Sequence, residues 1–526
     1  MAHSFVYDRW TYSSTAVHQA RSDGLPIRLC PRPGMPIKKR FVTALLNISS
    51  CLELGIYRST MDEGLAGLLE RVYYVSDGNG GWRFPPRPDA TFYKVQLKES
   101  VRDLYLYPVA DISVDEFLSR YKGAKLTAYR RAAEELRVFG LDLNRHTFVG
   151  AFVKDERQLR GKAPRLIRPF SIIFNLAFGV FVYPLEKCLY SGIDALYESP
   201  TVTKGLNGSQ VASAIAQKWN MFGDPVCLIT DMSRFDQHCS PEALRWVMRL
   251  CLRALKRGGA DVKRFVELWE STIRSRGMVL CDDGVVQYKV DGTLNSGLSS
   301  TSLCGVVLVC FILRAFCMSR KVKHQLISAG DDTNIIIERE DLTKFDDLPA
   351  FCLSAGFTVK IDGVVDELER IDFCQARPVF DGEEWVMVRD PKVVATKDLL
   401  TGKRFASSMD VRRYMRAIAD GGLALNGGIP IMQSYYAMLR RLAGDVEPSV
   451  LERNGFYYLT QNMRRSVRAI TDHARISFYK AFGINVWRQM ELERYYDRVQ
   501  WDGKLGLESV ESLPFSSDLK YAFEEN

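Results

Sequence analysis

The sequence predicts an α+β fold organised around a buried antiparallel hairpin, and three stretches carry that expectation. Residues 324–338 read His-Gln-Leu-Ile-Ser-Ala-Gly-Asp-Asp-Thr-Asn-Ile-Ile-Ile-Glu, with apolar runs on both sides of Gly330-Asp331-Asp332. Gly and Asp between such runs are a hairpin signal, because a tight turn needs a residue that tolerates positive φ. Residues 226–230 form an apolar strand that runs straight into Asp231. Helical periodicity, at about 241–275 and again from about 390 to the C-terminus, supplies the α component.

Composition narrows the class. The chain has 526 residues, 47% hydrophobic and 25% charged, enough for a large core and two to four subdomains. Lys plus Arg number 71 against 63 acids, a net charge of +8 that permits a polyanionic partner without requiring one. The twelve cysteines include no Cys-x-x-Cys pair, and only six histidines are present, so core thiols in a reducing compartment are expected rather than a zinc site. The N-terminus lacks a basic region followed by an apolar stretch, so no signal peptide is expected. The apolar runs Leu303–Leu313 and Phe170–Leu185 are each interrupted before the roughly 18–20 residues that cross a bilayer, so no membrane span is expected.

In chain order, residues 1–40 are rich in turn formers and end in Lys38-Lys39-Arg40, a solvated charge run by itself. Helical periodicity is expected over 41–75, and Asp77-Gly78-Asn79-Gly80-Gly81 reads as a turn. A second helix is expected over about 113–139, where Tyr121, Lys122, Lys125, Tyr129, Arg130 and Arg131 interleave aromatics and cations. That surface suits a nucleic-acid backbone, and equally an amphipathic helix with i,i+4 ion pairs. Residues 152–170 place Lys154, Arg157, Arg160, Lys162, Arg165 and Arg168 in a basic β-ribbon, a composition suited to phosphate. Asp236 follows Asp231 by five residues, and a Gly/Ser-rich loop over 291–300 enters a very apolar helix. Residues 341–375 supply a helix and a strand pair ending Ile371-Asp372-Phe373-Cys374-Gln375, and Gly421-Gly422 and Gly427-Gly428 read as turns in the helical C-terminal part.

The order of these stretches is that of the viral RNA-dependent RNA polymerase motifs. Asp231-Met-Ser-Arg-Phe-Asp-Gln-His-Cys-Ser240 resembles the first palm motif of tombusvirus-like polymerases of positive-strand RNA viruses. Leu69-Glu-Arg-Val-Tyr-Tyr-Val75, Lys122-Gly-Ala-Lys125 and Asp372-Phe-Cys-Gln375 are similar to that family as well, and the resemblance covers about 60 to 400. It implies a closed right-hand polymerase with an antiparallel palm sheet. Fingers would come from 41–225 and 241–290, palm from 226–240 and 291–390, and thumb from 391–526, with 1–40 as an extension bridging fingers and thumb.

The resemblance also implies roles. Two Mg²⁺ ions, replaceable by Mn²⁺, activate the 3′-hydroxyl, polarise the α-phosphate and neutralise pyrophosphate in such enzymes. Asp231 and Asp331 are the expected ligands, with Asp332 secondary. Lys154, Lys162, Arg165 and Arg168 are expected on the triphosphate, and Asp236, Ser296 and Thr301 around the ribose 2′-hydroxyl. Lys122, Lys125, Arg130, Gly297 and Cys374 are expected on RNA; the resemblance leaves the proton donor to pyrophosphate open, Lys360 being the nearest cation after Gly356. Gly305 departs from the family pattern, which has Asn four residues past the Thr of the Ser-Gly-x3-Thr motif. RNA template, nascent RNA, NTPs and other viral replication proteins or a membrane-anchoring partner would be the partners, at membrane-associated complexes in the host cytoplasm. A reverse transcriptase is the rival activity, but usually carries an aromatic where this chain has Ala329-Gly330. A catalytically impaired, RNA-binding relative is the rival outside enzymes.

Overall fold

The computed structural model describes residues 24–38, 40, 43–44, 54–79, 81–159, 162–403, 405–449, 460, 463 and 465–500. The first 23 residues of the expected N-terminal extension, Lys39, Arg160, Arg464 and the chain beyond Gln500 lie outside them.

Two sheets frame the first three quarters of the chain. A mixed five-stranded sheet has the order β1 (Ile27–Pro31), β6 (Gly284–Asp291), β5 (Arg274–Cys281), β2 (Phe148–Val153), β3 (Leu166–Ile167). A four-stranded sheet, antiparallel throughout, has the order β7 (His324–Ser328), β8 (Asp332–Glu338), β4 (Pro225–Met232), β9 (Val359–Val365). The second is the expected hairpin, extended by the strand that carries Asp231. Its central strands read as near-continuous apolar runs because helices or loops cover both faces. Thr333 to Ile337 are all buried. β9 carries a bulge, so that Asp362 has no partner residue on β4.

Helix α8 (Thr301–Ser319) is the centre of the core, with fourteen buried residues. It follows the Gly/Ser-rich loop as expected and passes beneath the hairpin, where Gly305 faces Gly330. Helix α4 (Ile172–Leu196) packs into the same core with Pro184 inside it. Both are longer than their apolar runs suggested and satisfy the length and hydropathy of a bilayer span. However, 61% and 78% of their most apolar windows, in α4 and α8, are buried within the fold, as in core helices. A separate core cluster runs from Val379 to Val499. It joins the hairpin of β10 (Ala376–Phe380) and β11 (Trp385–Arg389) to α9 (Ser408–Asn426), α10 (Met432–Ala443), α11 (Asp472–Phe482) and α12 (Val486–Arg498).

Several local expectations fail for tertiary reasons. Among the described residues of the helix expected over 41–75, helix forms only in α1 (Met61–Leu68) and a π turn over Leu69–Tyr73, and residues 41–42 and 45–53 lie outside the described residues. Leu54–Ile56 is instead a strand paired with Arg157–Leu159. Arg40 is no solvated charge: its guanidinium donates to the carbonyls of Val153, Lys154 and Tyr57. The helix expected over 113–139 divides into α2 (Val114–Leu118) and α3 (Gly123–Phe139), with Lys122 as the α3 N-cap. The periodic stretch 241–275 divides into α6 (Pro241–Gly258) and α7 (Val262–Ile273). The strand expected at the end of residues 341–375, Ile371–Gln375, is a tight turn in which Cys374 and Gln375 have φ of 52° and 62°. Gly427-Gly428 ends α9 as expected, whereas Gly421-Gly422 lies inside it. A Cβ on Gly422 would stand 2.1 Å from the Tyr436 ring, so glycine is what lets α9 and α10 touch.

Gly422→Ala is therefore expected to destabilise the chain by about 1–3 kcal/mol through overpacking, despite alanine's better helix propensity. Urea unfolding followed by circular dichroism reads this, and stability equal to or above wild type would contradict the packing.

Candidate active site

The turn of the hairpin is set by Gly330, whose φ of +119° a side chain would oppose. Ala329 N donates to Asp332 O at 2.9 Å, leaving Gly330 and Asp331 as the two central residues. Pairing with β4 puts Asp332 directly opposite Asp231. Directly opposed residues have Cβ atoms about 4.5–5.5 Å apart, so the two carboxylates are forced together by backbone register.

Three buried hydroxyls clamp this turn. Thr333 Oγ1 donates to Gly330 O at 2.8 Å, and Gly330 N donates to Ser328 Oγ at 3.2 Å. Ser328 Oγ and Thr333 Oγ1 are 2.7 Å apart, and Thr230 Oγ1 donates to Thr333 O. Asn334 Nδ2 reaches Asp372 O at 2.9 Å and ties the Ile371–Gln375 turn to the same strand. Sequence reasoning passed over these residues; their only signal was hydroxyls and an amide inside otherwise apolar strands.

The acids are electrostatically frustrated. Burial, then Asp362 and Asp331, push the Asp231 carboxyl above the usual carboxylate range, while Ser233 donates to it at 3.3 Å. Burial and then Asp331 raise Asp332, with the Cys374 thiol as a compensating hydrogen-bond partner. Asp236 sits in the short helical turn Phe235–His238, entered through left-handed Arg234, whose Nη1 donates to Glu70 O at 2.5 Å. Burial pushes Asp236 up to about 6, against the pull of Arg168, and Asp331 adds to the rise. Hard carboxylate oxygens raised by one another suit a divalent cation of the Mg²⁺ type. Among the described residues no three acid, histidine or cysteine groups already converge closely enough to cage an ion.

The expected phosphate and ribose residues divide into two sets. Lys154 N donates to Arg165 O at 2.8 Å, closing the ribbon, and both side chains pair with Glu156, at 2.5 and 3.5 Å. Lys162 is exposed on the same ribbon. Arg165 and Arg168 are close enough to lower Asp236. Arg168, expected on the triphosphate, is instead buried, its guanidinium donating to Thr293 Oγ1 at 3.1 Å and Leu294 O at 2.7 Å. Its own backbone N donates to Ser296 Oγ at 3.2 Å. Thr301 Oγ1 donates back to Asn295 O at 2.7 Å. The hydroxyls of Ser296 and Thr301 therefore hold their own loop. Gly297 bridges to Pro169, where a Cβ would lie 2.5 Å from Pro169 Cα.

Lys122, Lys125 and Arg130 are exposed near or on α3, which packs on α4, and nothing among the described residues links them to the acids. The aromatics between them are already paired: Tyr121 and Tyr129 stack at 4.6 Å, Lys125 Nζ stands 4.7 Å over Tyr121, and Arg120 3.3 Å over Tyr183.

A family model described as viral RNA dependent RNA polymerase matches residues 30–504. The chain is similar to the RNA-directed RNA polymerase of Turnip crinkle virus, 32% identical over 92% of this chain and 63% of that protein. It is also similar to the RNA-directed RNA polymerase of Groundnut rosette virus (strain MC1), 34% identical over 94% and 58%, and of Tobacco necrosis virus (strain A), 32% over 88% and 64%. The chain thus spans about three fifths of the length of these relatives.

Two outcomes follow from the geometry. Thr333→Val removes the hydroxyl that joins Gly330 O to Ser328, and is expected to cost about 1–3 kcal/mol in denaturant unfolding while Thr333→Ser stays near wild type; equal losses in both would point to the methyl group instead. Asp236, with its carboxyl raised from 3.8 to about 6, disfavours the folded state as it ionises, so its cost grows as pH rises through this window. Asp236→Asn is expected to raise unfolding free energy at pH 8, by on the order of 2 kcal/mol in a chelating buffer, with the gain vanishing below about pH 4. A gain independent of pH would contradict the burial argument.

Proposed function

Because the chain belongs to the viral RNA-dependent RNA polymerase family, we propose that it synthesises RNA from nucleoside triphosphates on an RNA template, in replication of a positive-strand viral genome. The observation that carries this reading is the opposition of Asp231 and Asp332 across β4 and β8 with Asp331 at the turn. In this reading the four-stranded antiparallel sheet is the palm, drawn from 226–240 and 291–390. Residues 41–225 and 241–290 are fingers, and 391–526 are thumb, with the β10–β11 hairpin sharing the core of the thumb helices.

Asp231 and Asp331 would hold two Mg²⁺ ions, or Mn²⁺ in their place, with Asp332 as a secondary ligand. Bound there, the ions would supply charge neutralisation for the 3′-oxygen, the α-phosphate and the departing pyrophosphate. Lys154, Lys162 and Arg165 would hold the triphosphate. Glu156 is the present partner of Lys154 and Arg165, so phosphate oxygens would compete with it for the same donors. Arg168 would act one step back, fixing the Ser296–Gly297 loop against the ribbon. Asp236 would meet the ribose 2′-hydroxyl, with Ser296 and Thr301 shaping the loop beside it. Gly297, Cys374, Lys122, Lys125 and Arg130 would contact RNA. Lys360, paired with Asp362 at 2.5 Å and opposite Asp231 in the sheet, is the candidate proton donor to pyrophosphate. Other viral replication proteins or a membrane-anchoring partner in the host cytoplasm are the proposed setting.

Labelled NTP incorporation on an RNA template with Mg²⁺ tests the activity. Wild type is expected to extend product, and Asp331→Ala to lose on the order of 10³-fold or more in rate, the worth of several kcal/mol of charge stabilisation. Undiminished product from that variant would sink the proposal. A Cβ on Gly305 would meet only Gly330 Cα at 3.6 Å and Phe235 at 3.8 Å, ordinary contacts. Gly305→Asn is therefore expected to fold and to raise rNTP over dNTP selectivity about tenfold by adding one hydrogen-bonding group near the sugar. An unchanged ratio would remove Gly305 from sugar selection.

A further inference from the structure

We propose that Lys204 grips a backbone phosphate of the RNA strand whose 3′ end reaches the carboxylates. The inference rests on the polymerase reading above and adds a phosphodiester-binding residue to that site.

Its basis is a short segment docked on the catalytic hairpin. Ser328 N donates to Thr201 O at 2.8 Å, and Thr203 N donates to Ser328 O at 2.9 Å, reinforced by Thr203 Oγ1 at 3.2 Å. Val202 thereby bridges Ser328 in parallel, on the free edge of β7. Parallel partners advance in the same direction. Two residues beyond this isolated bridge both chains have entered turns, Lys204 in the one closed by Leu206 N donating to Thr203 O at 3.1 Å and Gly330 in the hairpin turn, so the lysine leaves the bridge on the side of the turn that carries Asp331. It is exposed there and has no ion pair within 4.0 Å among the described residues.

The segment is held rigidly from behind. Asp194 Oδ1 accepts from Thr201 N and Val202 N at 2.8 and 2.9 Å. Lys218, at the end of α5 (Gly208–Trp219), is fully buried. Its Nζ donates to Ser199 Oγ, Thr201 Oγ1 and Gln325 Oε1 at 2.7, 2.9 and 2.8 Å. Burying an ammonium costs several kcal/mol, and here all three of its donors are spent on fixing residues 199–201 to β7. The backbone that presents Lys204 is therefore held in place, while its side chain stays exposed.

What Lys204 faces agrees with a phosphate. Its charge acts on the Cys374 thiol, the hydrogen-bond partner of Asp332, and on Glu186 of α4. Glu186 accepts from Tyr190 Oη at 3.4 Å, and the same hydroxyl lies 3.2 Å from Ser302 Oγ at the start of α8. The lysine therefore stands between the Ile371–Gln375 turn and the mouth of the Gly/Ser-rich loop. Asp231, Asp331 and Asp332 together repel a polyanion. A strand that must end at those acids needs a cation beside its last phosphates, and a compact ammonium suits a phosphate approached as a point charge.

The test is equilibrium binding of a primed RNA template and of the unprimed single strand, over a range of salt, for wild type, Lys204→Gln and Lys204→Arg. On primed RNA, Lys204→Gln is expected to weaken binding about three- to tenfold and to lower the log–log salt slope by about 0.7–0.9, the signature of one phosphate contact. Lys204→Arg should restore both, and the unprimed strand should change little. An unchanged slope for Lys204→Gln on both RNAs overturns the contact. An equal loss on the unprimed strand overturns its assignment to the strand being extended. Melting temperatures guard against a folding defect, which an exposed side chain is not expected to cause. If wild type itself neither binds primed RNA nor incorporates NTPs, the polymerase reading fails; if wild type polymerises and Lys204→Gln matches it, only this inference fails.

Discussion

The forced opposition of Asp231 and Asp332 across one antiparallel strand pair is the constraint on which the rest of the site depends. Two like charges about 5 Å apart cost about 3 kcal/mol at an effective dielectric near 20. Ile335, Ile336 and Ile337 are wholly buried on the same strand, and burial of each contributes about 1.5–3 kcal/mol. The apolar register therefore outweighs the repulsion, and a slip by one residue would turn every one of these side chains to the wrong face. The acids are held together by isoleucines that never touch a substrate. Asp362, at the bulge in β9, adds to the crowding at Asp231.

That division explains what was legible in the sequence. The Gly-Asp-Asp hairpin, the strand ending at Asp231 and the Gly/Ser-rich loop entering α8 are all encoded by local pattern, and each formed where the pattern put it. Strand partners and register are not local. Nothing in residues 324–338 announces that Asp332 lies opposite Asp231, that Ser328 and Thr333 turn inward to hold Gly330, or that residue 362 has no partner. The same holds for residues 54–56, which join a strand at 157–159 against their helical neighbourhood, and for Gly422, which looked like a turn and is a contact surface.

Charge was the least legible property. Six cations in the ribbon region looked equivalent as composition, yet those whose side chains are described separate by burial. Arg168 spends its donors on Thr293 and Leu294 and fixes the loop that follows, while Lys154 and Arg165 share Glu156 at the surface. Arginine serves the buried post because its planar donors can all be matched without losing the charge. In the same way Lys218 is committed to structure and Lys204 is not, although the two lie fourteen positions apart in one stretch of chain.

This separation gives the site a consistent electrostatic logic. Burial, and after it the neighbouring carboxylates, raises Asp231 and Asp332, while burial raises Asp236 against the pull of Arg168. The surface cations Lys154 and Arg165 on the ribbon are in turn paired with Glu156. In the proposed polymerase reading, a triphosphate with its divalent cations would exchange partners on both sides: phosphate oxygens would compete with Glu156 for the ribbon, and the carboxylates would hold the cations. Neither exchange requires a charge to be created or buried alone. The backbone need not move for it either, because the carboxylates are fixed by strand register and the ribbon by its own closure between residues 154 and 165. The pairing that makes the isolated acids unfavourable is thus the same pairing that makes them a preorganised place for cations.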